Sequence, residues 1–163
     1  MIMLLPVLTM LAALGSGIMA GLFFAFSSFI MTAFSKLPPE QGIAAMNSIN
    51  VTILNATFGM AFFGTALLCI VLGIASIVLW SQPGSAWLLI GSLLYLIGVI
   101  AITVVFNVPL NDALQAILPA SPEGTALWTR YFAEWVPWNH VRTFASTGSL
   151  IAFILAYGKL NAV

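Results

Sequence analysis

Apolar residues run in four long stretches broken by short polar or proline-containing segments, and that pattern predicts an all-α chain of four membrane-crossing helices. The first stretch covers about residues 4–34 and carries no charge. Lys36-Leu37-Pro38-Pro39-Glu40 ends it; Pro39 opens the next helix, with Glu40 in its first turn. From Glu40 to Trp80 there is no proline. One helix of that length would span roughly 60 Å, about twice a bilayer core. Residues 40–55, with Asn47, Asn50 and Asn55, are therefore expected past the hydrocarbon or along the interface, with the crossing at about 57–80. Ser81-Gln82-Pro83-Gly84-Ser85 is a turn. The third crossing covers about 86–106, and Pro109 is expected to end or kink it. Gly124 to Trp135 reads as a short interfacial helix between the third and fourth crossings, its aromatics suiting headgroup depth. Pro137 then starts the fourth crossing, to about 157. Gly17 and Gly21, and Gly84, Gly91 and Gly98, mark two seams for close helix packing.

Composition sharpens this picture. The chain of 163 residues is 62% hydrophobic with a mean hydropathy of +1.14. Only nine side chains are Lys, Arg, Asp, Glu or His. A surface facing water needs more charge than that, so most of the chain must face lipid. The whole chain, 1–163, reads as one integral membrane domain. The apolar start has no basic residue before it and is longer than a signal-peptide core, so it reads as a retained helix. Net charge is zero, which gives nucleic acid no purchase. Cys69 is the only cysteine and reads as packing. The positive-inside count slightly favours a cytoplasmic side for the polar connections.

Six of the nine ionisable groups fall between Asp112 and Arg142. Four crossings bring residues 36–55, the Asn107–Asp112 turn and the start of the fourth crossing to one membrane face. There, Asn139, Arg142 and Thr143 share a helix face, with His140 on its flank. A polar stripe entering a membrane helix should face the bundle interior. Each member has a structural and a functional reading. Asn107 and Asn111 either cap the proline break or aim amides at a ligand. Arg142 either pairs with Asp112 or Glu134, or holds an oxyanion, carboxylate or phenolate. His140 either bonds a carbonyl at the interface or transfers a proton. One histidine without a cysteine or carboxylate at ligand spacing is a poor metal site. The phenylalanines of the first two crossings read mainly as packing, with a flat-ligand slot as the minority reading.

Four strings carry a family resemblance: Gly21 through Pro39, Ala44-Ala45-Met46-Asn47-Ser48-Ile49-Asn50, Phe106-Asn107-Val108-Pro109-Leu110-Asn111, and Trp135-Val136-Pro137-Trp138-Asn139-His140-Val141-Arg142-Thr143. With these the chain resembles the anthrone oxygenase-like family of small four-helix membrane proteins, over about residues 15–155. Most members are bacterial proteins of unknown role. The resemblance therefore implies an integral protein of a bacterial cytoplasmic membrane. Some members oxidise anthrones to anthraquinones with molecular oxygen and no cofactor. Such a reaction needs a base for a carbon-bound proton and donors for the enolate oxygen. The candidates are His140 as base and Arg142 as catalytic cation. Asn107, Asn111, Asn139, Asn47, Asn50, Trp135 and Trp138 are the substrate-binding candidates. The expected partners are the lipid bilayer and a small lipophilic or aromatic ligand, and the glycine seams are compatible with a homo-oligomer. A binding or transport module for a lipophilic ligand and a structural component of a membrane assembly are the rival readings.

Overall fold

The computed structural model describes residues 4–162. Among them there are helices and no strands. Four helices are long and apolar enough to cross a membrane: α1 (Leu5–Phe34), α3 (Ala56–Val78), α4 (Ser85–Ala116) and α5 (Pro122–Leu160). A shorter helix, α2 (Pro39–Thr52), lies between α1 and α3. The crossing helices close a ring in which α1 packs on α5, α5 on α4, α4 on α3, and α3 on α1. α2 caps one end, against α5 and the far end of α4.

Local chemistry explains most boundaries. α2 begins at Pro39 with Glu40 in its first turn. It ends at Thr52. Beyond it Asn55 takes an extended backbone and its side-chain oxygen accepts the Phe58 N–H at 3.0 Å. That cap starts α3, so Pro39–Thr52 is a helix separate from the crossing. Ser121 caps α5 in the same way, accepting the Gly124 N–H at 2.9 Å. Gly84, at φ +93°, supplies the left-handed turn before α4.

Neither Pro109 nor Pro137 ends a helix. α4 continues through Pro109 to Ala116. A wide π-type stretch, Thr103–Asn107, stands directly before the proline and absorbs its missing donor. α5 also runs through Pro137 without interruption. The segment expected as a separate interfacial helix is therefore the first third of α5. Its Trp128, Tyr131 and Trp135 are buried within the protein. They form a stacked column, 5.5 Å between successive ring centroids, against Ile43 and Met46 of α2 and Leu110 and Leu114 of α4. Burial of this column outweighs the loss of one hydrogen bond at Pro137.

The glycine seams divide. Gly21 has nothing within 4 Å of where a side chain would begin, and Gly17 meets only Leu150, so that pair is not a close helix contact. On α4 the seam is formed: Gly98 abuts Ala145, and Gly91 lies under the fully buried ring of Phe153. A Cβ at Gly91 would stand 2.9–3.1 Å from three atoms of that ring. Gly91→Val is expected to cost about 1–3 kcal/mol by overpacking, read as a lowered melting temperature in detergent. An unchanged melting temperature would show that the α4–α5 seam is looser than described.

Candidate functional site

The apolar interior falls into two clusters. One, in mid-bundle, includes Phe23, Phe62, Leu72, Tyr95, Val99 and Phe153. The other, under α2, is the aromatic column with its neighbours. Arg142 sits at their junction. It is 5% exposed, with its guanidinium carbon 4.4 Å from the Phe23 ring centroid and 5.0 Å from that of Trp135. Nη2 donates to Asn139 Oδ1 at 2.8 Å, and Nη1 to Thr103 Oγ1 at 3.3 Å. Nε has no partner. Neither expected carboxylate pairs with it. Asp112 is exposed, and Glu134 takes both of its bonds from Arg130, on the outer face of α5. That exposed pair is the one salt bridge among the described residues and contributes little. Two aromatic faces, an amide and a hydroxyl carry what a carboxylate would ordinarily supply to a buried cation.

Asn139 is the hub. It is fully buried, and its amide nitrogen donates to the Phe23 carbonyl at 2.8 Å and to Ser27 Oγ at 2.7 Å. Ser27 Oγ also lies 2.9 Å from Thr143 Oγ1. One amide thus ties α1 to α5 while its oxygen holds the guanidinium.

Backbone irregularity places these partners. α1 widens into a π-type turn over Phe26–Ile30, and α4 does so twice, over Leu96–Ala101 and Thr103–Asn107. Ser27, Thr103 and Asn107 all lie on such turns. Extra residues in a turn rotate the following side chains, and π turns often occur at functional sites.

Nearer the cap, Asn107 is fully buried and donates to the Trp135 carbonyl at 3.2 Å, while its own oxygen has no partner. The Trp135 indole N–H is also unpartnered. Asn111 accepts the Tyr131 hydroxyl at 2.7 Å, with Asn50 beside that hydroxyl. Asn47 donates to the Leu114 carbonyl at 3.0 Å and so holds α2 on α4. Asn47 Oδ1 and Asn50 Nδ2 are buried without partners. Asn107 and Asn111 do not bond Arg142. They meet it through the aromatic column, whose Trp135 faces the guanidinium.

Two candidates stand apart. Trp138 is half-buried and stacks on Phe106, centroids 3.8 Å apart and planes 13° from parallel. His140 is half-buried and forms no hydrogen bond among the described residues. On an unbroken helix, residues two apart diverge by about 200°, so His140 leaves α5 nearly opposite Arg142. Geometry therefore does not bring the expected base to the expected cation.

Ser27, Thr103 and Tyr131 belong to the site and were not among its sequence candidates; Phe23, read mainly as packing with a ligand slot as the minority reading, belongs to it too. The i, i+4 spacing of Thr103 to Asn107 and of Tyr131 to Trp135 was the available signal. Among the described residues no cluster of His, Cys, Asp and Glu has the makings of a metal site. On the lipid side, α4 and α5 leave an open apolar groove of about 640 Å³, with Ile97, Gly98, Val141, Phe144 and Ala145 in its lining. Arg142 does not line this groove; its neighbour Val141 does.

No curated protein and no solved structure matches the chain. The family model described as anthrone oxygenase matches residues 53–152. That span covers more than half of the chain and holds Thr103, Asn107, Trp135, Asn139 and Arg142. The chain belongs to the anthrone oxygenase family.

Proposed function

We propose that the protein is a membrane oxygenase that oxidises a flat, enolisable aromatic ketone with molecular oxygen, working in a bacterial cytoplasmic membrane. The supporting observation is the buried Arg142 guanidinium, held between two aromatic rings with no carboxylate partner. In this reading the ring system lies along the apolar groove of α4 and α5, and the ketone oxygen reaches the cation where the closed seam parts near Thr103. A positive charge in a low-dielectric site favours the enolate over the ketone. Water at the bundle rim carries away the first carbon-bound proton.

The electrons come from the substrate. The enolate carbon reduces oxygen and bonds to it, giving a peroxide that takes back one proton. Loss of the second C–H proton as the O–O bond breaks turns that carbon into a carbonyl. Both protons leave with one oxygen atom as water, and the other oxygen stays in the quinone. His140 has no part in this scheme.

The test is turnover of anthrone by the purified protein under ¹⁸O₂. One labelled oxygen in the quinone, formed faster than without protein, is the expected result. A rate equal to the protein-free reaction would overturn the proposal. Ligand recovered unchanged from an oxygenated complex would favour a binding protein instead.

A further inference from the structure

Arg142 has a property that an oxygenase reading does not by itself require. Its charge is buried in the resting protein, before any enolate forms. A guanidinium taken from water into such a site is costly unless an anion or equivalent donors and acceptors compensate it. Here one amide oxygen and one hydroxyl, the latter at 3.3 Å, are the only acceptors among the described residues. The chain's carboxylates at this end stand outside: Glu134 is bound to Arg130, and Asp112, Glu40 and Glu123 are not buried. Nε remains without an acceptor, and the indole N–H of Trp135, whose ring faces the guanidinium, also lacks one. Two buried donors without acceptors, on a cation that is met only by ring faces, an amide and a hydroxyl and on the ring that faces it, suit an oxyanion.

We propose that this site binds a lipophilic organic anion as a stable ligand, its oxyanion bonded to Arg142 Nε and Trp135 Nε1, in preference to a neutral molecule of the same shape. The ligand has a flat apolar body and one anionic oxygen group, a carboxylate or phenolate. The location of the site rests on the reading above, but no oxygen chemistry is involved. Resting-state anions of this class are therefore competitive inhibitors of any reaction at the site. A phospholipid headgroup offers the same oxyanion, so the two sources must be separated.

The probes are anthracene-2-carboxylate and 2-(hydroxymethyl)anthracene, which share a ring system and differ in charge. Dissociation constants come from quenching of tryptophan fluorescence in phosphatidylcholine nanodiscs, corrected for partition into empty discs. Wild type is expected to bind the carboxylate on the order of 10- to 100-fold more tightly than the alcohol. Arg142→Gln is expected to abolish that preference, and Arg142→Lys to keep part of it. Repeating the measurement in phosphatidylglycerol discs separates the sources. Weakened carboxylate binding there assigns the site to a lipid phosphate, and unchanged binding assigns it to a free organic acid. Equal affinities of wild type for the two probes would overturn the proposal, and that comparison needs no variant to fold. A preference that survives in Arg142→Gln would also overturn it. Oxygenation without anion preference sinks this inference alone; anion preference without oxygenation sinks only the oxygenase.

Discussion

Asn139→Leu is expected to lower stability by about 3–5 kcal/mol, the largest effect of any single substitution in the site. The leucine fills similar space, so the loss is polar. Two bonds to α1 vanish, at the Phe23 carbonyl and Ser27 Oγ, together with the 2.8 Å bond from Arg142 Nη2. Neutral interhelical bonds in membranes contribute roughly 0.6–2 kcal/mol each. The guanidinium adds more, because it stays buried with one hydroxyl acceptor. The measurement is thermal unfolding in detergent. Asn139→Asp is the informative companion, since it places a carboxylate where the amide oxygen now holds Arg142. That variant is expected to recover part of the lost stability and to lose turnover, its own charge having taken the guanidinium. A melting temperature for Asn139→Leu equal to wild type would show that Asn139 is not the hub.

Arg142→Gln is expected to reduce anthrone turnover by roughly 100- to 1000-fold, the usual consequence of removing a preorganised oxyanion donor. The effect should fall on kcat more than on KM, because charge on the ketone oxygen develops only as the proton leaves. Arg142→Lys is expected to fall between. An ammonium keeps the charge but not the planar fork that lies between Phe23 and Trp135 while reaching Asn139 and Thr103. Steady-state oxygen consumption against anthrone concentration reads both constants. Retained kcat with a raised KM would mean that Arg142 binds substrate without assisting the chemistry.

The crossings were legible because charges and prolines are scarce, so each one punctuates. Pro38-Pro39 and Ser81 to Ser85 marked real boundaries. The break at Asn55 was placed from length alone, but its capping role was not legible, because an asparagine cap after an apolar run looks like any polar residue at the interface. Pro137 misled as a helix start, and Pro109 misled only as a possible helix end, for a related reason. A proline removes one donor, but whether the helix stops depends on what its neighbours bury. The column of Trp128, Tyr131 and Trp135, docked against Ile43 and Met46, decides that for α5. The i, i+3 and i, i+4 relations within Asn139, Arg142 and Thr143 were read correctly as one inward face, and all three are buried. His140 was drawn to the site by its chemistry rather than by its angle. Ser27 was out of reach, since a π turn leaves no trace in a hydrophobic pattern and yet sets which side chains point inward. Gly42 shows the same limit. Only the structure reveals that its missing side chain lets the Trp128 ring approach to 2.7 Å of where a Cβ would stand.

The central claim is that the Arg142 guanidinium stabilises an enolate within the bundle. The enolate of anthrone has a longer conjugated system than the ketone and absorbs at longer wavelength. Anaerobic titration of the protein with anthrone at neutral pH therefore reads the claim directly, with no turnover to confuse it. The red-shifted enolate band is expected to grow with wild-type protein to a one-to-one endpoint, and to be absent with Arg142→Gln. Anthrone bound to wild type with the spectrum of the ketone would contradict it.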